Sequence, residues 1–143
     1  MPRTRNESMT EIISNLNQIN QRILSACEKA GRNSNEVKLL LATKTVPAER
    51  IKIALNAEHT LIAENKVQEL KEKFEALKNI PHEKHFIGHL QTNKIKDLLK
   101  YKVSCIQSLD RLDLAEKLHQ RLQTESKTIE VLIQVNSSNE ESK

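Results

Sequence analysis

Aromatic side chains are almost missing from this chain: there is no Trp, one Tyr and two Phe in 143 residues. Base-stacking platforms of the kind that grip single-stranded nucleic acid are therefore not on offer, and the core has to be built from Leu, Ile, Val and Ala. Glycine is nearly as rare, with only Gly31 and Gly88. That scarcity excludes a GxGxxG turn and a P-loop, and no HExxH is present either. Two cysteines, Cys27 and Cys105, lie far apart without CxxC spacing. They argue against a disulfide framework and read as buried free thiols of a reducing compartment. No run approaches the ~18 apolar residues of a membrane helix, and the opening MPRTRNESMT has no apolar h-region for secretion. The charge, 23 Lys and Arg against 19 Asp and Glu, is only +4 net and finely interleaved. Without a polybasic run, it describes solvated helix faces rather than a nucleic-acid footprint. A cytoplasmic protein, binding neither nucleic acid nor membrane, is expected.

What the chain does have is alternating texture. Ser8-Met9-Thr10-Glu11 fits a capping box, and Ile12, Leu16, Ile19, Ile23, Cys27 and Ala30 follow at spacings of three and four. A first helix over about 9–30 is predicted, with residues 1–8 disordered and Gly31 closing it. Short apolar runs then alternate with amphipathic segments. The runs are 37–42, 60–63, 85–87, 103–107 and 129–135. Between them lie predicted helices from Pro47 to Asn56, after Asn65, at about 93–99, and from Asp110 through Leu114, Leu118 and Leu122. Strand and helix in alternation mean an α/β fold with a parallel sheet under covering helices. Two architectures give this string, an open doubly wound sheet and a barrel. A closed (β/α)8 barrel takes ~200 residues or more, so this chain supplies about five of its eight units. The last run has no helix after it, only NSSNEESK. An uncovered apolar strand is an association hazard, and a truncated part of a longer protein is the expectation.

Parallel α/β folds bind ligands at the carboxyl ends of their strands. Collected there are Thr43-Lys44-Thr45, Glu64-Asn65, Gly88-His89 with Gln91 and Asn93, Ser108 with Asp110-Arg111, and Asn136. Each has a plain structural alternative: Asn65 and Asp110 suit helix N-caps, and Gly88 suits a tight turn. His89 has no neighbouring His or Cys to make a metal site. The convergence of polar groups on one rim, one of them Lys44, is the informative feature. A lysine in a partly apolar mouth loses some of its preference for the ammonium form. Its neutral amine can then form a Schiff base with an aldehyde, and pyridoxal 5′-phosphate (PLP) is the aldehyde cofactor held in that way.

Five blocks in register, LLLATKTVPAERI, IAENKVQEL, HFIGHLQTNKIK, SLDRLDLAEKL and VLIQVNSSNEESK, resemble the pyridoxal phosphate homeostasis protein family. That family is similar to the N-terminal barrel domain of bacterial alanine racemase. The resemblance runs from about Val37 to the last residue and implies a single domain over 1–143, part of a (β/α)8 TIM-type barrel preceded by a helix. It implies that Lys44 carries PLP as a Schiff base, with Asn65 and the Gly88-His89 region beside it; Asn136 joins the candidate cofactor residues from its strand end. It further implies a non-catalytic cytoplasmic protein that buffers PLP or hands it to apo-enzymes. Ala63 stands where the family usually has glycine, and the family's phosphate-holding loops lie beyond Lys143. Two alternatives remain: a PLP-dependent amino-acid racemase, for which Tyr101 is the sole tyrosine, or a fragment that no longer binds PLP and self-associates through its terminal strand.

Overall fold

The computed structural model describes residues 5–141, with side chains from Met9 onward. Helix α1 spans Arg5–Ala30. The backbone is thus already helical ahead of Ser8, which lies inside the helix and not at its cap. The capping-box start and the disordered 1–8 segment are corrected to that extent, and residues 1–4 fall outside the described part. The far end is as expected: Gly31 takes a left-handed φ of 63°. Arg32 N–H bonds Cys27 O at 2.9 Å and Gly31 N–H bonds Glu28 O at 3.2 Å, the paired closure of a Schellman end.

Five strands and four further helices follow. They are β1 Leu41–Ala42, α2 Ala48–Asn56, β2 Leu61–Glu64, α3 Val67–Leu77, β3 Glu83–Phe86, α4 Ile95–Lys100, β4 Cys105–Leu109, α5 Leu112–Glu125 and β5 Glu130–Ile133. All four pairings are parallel, and the strands lie in the order β1-β2-β3-β4-β5. This order decides between the two architectures. A doubly wound sheet reverses direction at a switch point and carries helices on both faces. A sheet that always advances in one direction, with right-handed crossovers, keeps its helices on one face, as a barrel wall does. The expected partial (β/α)8 arc of five parallel strands is what forms.

Burial follows from that geometry. Ile51, Leu55, Ile62 and Leu77 make one core cluster, joined by Leu41. Phe86, Leu98, Ile106, Leu114 and Leu118 centre a second, larger one. Both lie between sheet and helices, so alternate strand residues face the helix layer. Ala42, Ala63, His85, Cys105 and Glu130 are in register across the other face. Strand β1 is much shorter than the 37–42 run, because only Leu41 and Ala42 of that run pair with β2. Strand β5 is exposed along its whole length, with Leu132 at 54% and Ile133 at 77%. Both cysteines are buried free thiols. Among the described residues no helix is long and apolar enough to cross a membrane.

Candidate functional site

Strand β1 ends in a turn. Thr43 N–H still bonds Ala63 O at 2.9 Å, and Val46 N–H then returns to Thr43 O at 3.0 Å. Lys44 and Thr45 are the two central residues of this turn, and Thr45 has φ 64°. The second central position of such a turn ordinarily takes glycine or asparagine; a β-branched residue there is an outlier. Strand alternation sends Thr43 towards the helix layer, where it is buried, and leaves Lys44 exposed beyond Ala42.

Beneath the turn lies a buried polar network that the sequence reading did not single out. Glu64, 2% exposed, accepts from Thr43 Oγ1 at 2.5 Å and from Lys73 Nζ at 2.7 Å through one oxygen, Oε1. Lys73 Nζ also donates to Thr43 O at 2.8 Å and reaches Glu69 Oε1 at 3.3 Å. Glu69 Oε1 in turn accepts Thr45 N–H at 2.6 Å. Burial lifts the Glu64 carboxyl above its usual range, against the bonds from Lys73 and Thr43. Burial also pushes Glu69 upward, but the Thr45 N–H and Lys73 together outweigh it and hold that carboxyl below the usual range. The visible signals were the Glu69–Lys73 spacing of four on a helix and a carboxylate ending an apolar strand.

Asn65 and Asp110 are not caps. The N-cap of α3 is Lys66 and that of α5 is Arg111, and neither makes a side-chain cap bond. Freed from capping, Asn65 Oδ1 is buried without a hydrogen-bond partner. Ala42 pairs with Ala63, so Lys44 and Asn65 each follow two residues after that pair, at the carboxyl ends of neighbouring strands. Gly88 is needed for packing as well as turning: a Cβ there would stand 2.7 Å from Asn65 C and 2.8 Å from Asn65 Cα, and nearer still to its oxygen. Asn65, His89, Gln91 and Lys94 line a groove of about 380 Å³ between the start of α3 and the β3–α4 connection.

The other strand-end groups serve the loops. Ser108 Oγ donates to Gly88 O at 2.5 Å, and Arg111 donates to Leu90 O and, at 2.9 Å, to Asp110 Oδ1. Asn136 uses its amide locally, donating to Glu140 O at 2.9 Å and accepting Glu140 N–H at 3.1 Å. Of the four predicted cofactor residues, then, Asn65 and His89 share a groove, Lys44 lies in the turn at the end of the neighbouring strand β1, and Asn136 closes its own turn. Tyr101 is 8% exposed in the larger core cluster, edge-on to Phe74 at 5.4 Å. From there it also borders the groove that Asn65 and His89 line.

No family model matches the chain. Curated proteins do: it is 48% identical over 128 residues, 90% of its length, to the pyridoxal phosphate homeostasis protein of Aquifex aeolicus. Its identity to the Escherichia coli K12 protein of the same name is 38% over 94% of the chain. Among solved structures, an unknown protein from Bifidobacterium adolescentis superposes on the whole chain with TM-score 0.86 at 34% identity. PipY of Synechococcus elongatus PCC7942, solved with PLP bound, superposes on 83% of it with TM-score 0.71 at 28% identity. The chain spans 56% and 58% of the two curated relatives and 62% and 55% of the two solved chains. Over some nine-tenths of its own length, and a little over half of theirs, the chain is similar in sequence to the pyridoxal phosphate homeostasis proteins.

Proposed function

We propose that this chain is part of a PLP-binding protein of intracellular cofactor homeostasis, with Lys44 as the covalent attachment point. The cofactor supplies an aldehyde carbon with which a neutral primary amine condenses, losing one water and forming a C=N bond. The observation that carries the reading is the rim at the end of β1. It presents an exposed primary amine, and at the end of the neighbouring strand β2 Asn65 has a buried amide oxygen with no partner. An orphaned buried acceptor is costly, and a ligand donor arriving at the rim would satisfy it. His89 shares the Asn65 groove and flanks the same site, while Asn136 stands further along the rim. The PLP-bound structure of PipY supports the cofactor.

A buffering or delivering role, with apo PLP-dependent enzymes as recipients, agrees better with this rim than racemisation does. A racemase needs a second acid or base free to reach the cofactor; Tyr101 borders the Asn65 groove, but it is 8% exposed and packed edge-on against Phe74 in the core cluster. A cytoplasmic location agrees with the two buried free thiols. The exposed β5 strand supports self-association as a further property.

The test is PLP titration of the purified protein, followed by borohydride reduction and peptide mass mapping. The expected result is a visible absorbance band and a reduced adduct on Lys44, both absent in Lys44→Ala. An undiminished band in Lys44→Ala would overturn the assignment.

A further inference from the structure

We propose that Glu69, Lys73 and Glu64 form a clamp that holds the Lys44 turn in a strained conformation and so sets how Lys44 meets its ligand; the proposal rests on Lys44 being the attachment point. Three main-chain and side-chain handles flank Lys44, and side chains from β2 and α3 grip all of them. Thr43 O is held by Lys73 Nζ at 2.8 Å, Thr43 Oγ1 by Glu64 Oε1 at 2.5 Å, and Thr45 N–H by Glu69 Oε1 at 2.6 Å. The two carboxylates meet on one ammonium, Lys73 Nζ, at 2.7 and 3.3 Å. Movement at either side of Lys44 is thereby coupled to the other.

The strain is what gives the clamp a purpose. A β-branched residue with φ 64° is disfavoured, and such residues persist where their surroundings over-determine them. Here Thr45 is over-determined: its N–H is bound by Glu69, and its hydroxyl donates to Lys44 O at 2.6 Å. The arrangement also has a high cost of its own. Taking the Glu64 carboxylate and the Lys73 ammonium into the layer between sheet and helix, with Glu69 half-buried beside them, is unfavourable compared with apolar packing. A turn that merely joined β1 to α2 would need neither the strained threonine nor the buried Glu64–Lys73 pair. Lys44, the one residue enclosed by these contacts, makes no demand on the fold, since its side chain is exposed. The expenditure therefore falls on where its amine stands. These three are positioning residues; Lys44 alone bonds the ligand.

The Glu69→Ala and Glu69→Gln variants separate this from a general role in stability, because a glutamine oxygen still accepts the Thr45 N–H. The probes are amide hydrogen exchange at Thr45 in the ligand-free protein and the rate at which PLP labels Lys44, trapped by borohydride. Glu69→Ala is expected to speed Thr45 exchange by about tenfold, the scale of one charge-assisted hydrogen bond, and to slow Lys44 labelling by a similar factor. Glu69→Gln is expected to restore most of both. Equal Lys44 labelling rates in the wild type and Glu69→Ala would overturn the clamp while leaving the attachment point intact. An unlabelled Lys44 in the wild type would instead remove the attachment point, and the clamp's purpose with it. A Glu69→Gln variant as impaired as Glu69→Ala would also overturn the proposal.

Discussion

Gly88→Ala is the sharpest test of how the rim is packed. Ile87 N–H bonds Glu64 O at 2.9 Å, which draws the ends of β2 and β3 together. One residue on, the Gly88 Cα passes over the Asn65 main chain. An added methyl would lie 2.7 Å from Asn65 C and 2.8 Å from Asn65 Cα, where carbon atoms normally stay ~3.5 Å or more apart. Relief would have to come from the backbone, since no flexible side-chain end stands in the way. Overpacking costs ~1–3 kcal/mol, and a backbone clash belongs at the upper end, about 3 kcal/mol. For a domain of this size that corresponds to a fall of about 10 °C in Tm, at ~3–4 °C per kcal/mol. Gly31→Ala is the matched control. Its site has φ 63° but nothing within 4 Å of the added carbon, so only the left-handed backbone is penalised, at ~1–2 kcal/mol, or about 5 °C. Thermal unfolding followed by circular dichroism reads both variants. Two equal melting temperatures would refute the close approach of Gly88 to Asn65. The damage should also reach the ligand: in Gly88→Ala, labelling of Lys44 by PLP should slow, because Asn65 and Glu64 are displaced together.

Two further outcomes follow from the charges and from the bare edge. Burial, aided by the charge of Lys102, lowers the Lys84 amine to about 8, while its Nζ sits 4.8 Å over the Phe74 ring. A base with a lowered folded pKa binds fewer protons folded than unfolded between pH ~8 and ~10.4. Its penalty is complete below pH 8 and fades as pH rises through that window. Lys84→Met should therefore melt a few degrees above wild type at pH 7, with the gap closing by about pH 10.4; a gap constant across that range would contradict the assignment. At β5, where Ile133 is 77% exposed, Ile133→Lys should lower any concentration-dependent mass seen by light scattering by placing a charge on an unpaired edge. An unchanged concentration dependence would place self-association elsewhere.

The fold was legible because its signals are periodic and local. Leu114 and Leu118 recur at helical spacing and are buried, and the alternation of short runs with helices became the parallel arc. Boundaries were less legible where tertiary context decides them. The capping box at Ser8 is a sound local signal, but the helix runs through it to Arg5. Asn65 and Asp110 have the right chemistry for capping, yet Lys66 and Arg111 hold the cap positions without side-chain caps. At Asn65 that failure is instructive. An asparagine that could cap its helix and does not, leaving a buried oxygen unpaired at the rim, breaks local consistency where ligand sites are known to break it.

The polar network was illegible for a different reason. Glu69 and Lys73 look like ordinary members of a charged helix face and Glu64 like a polar residue where a strand surfaces, and an i, i+4 pair is usually solvated. Only the three-dimensional path shows Lys73 turned inward against Thr43 and Glu64. The strand-end lysine was visible in LLLATKTVP, but what holds it comes from the next strand and helix, about twenty and thirty residues along the chain. Sequence reading can single out a candidate ligand-bonding residue such as Lys44 because its chemistry is distinctive. The residues that position it are chemically commonplace, and their role exists only in contacts that close after the sheet has formed. For this chain the two kinds of residue are coupled through one strained threonine, so Thr45 is where the stability of the arc and the chemistry of its rim bear on each other.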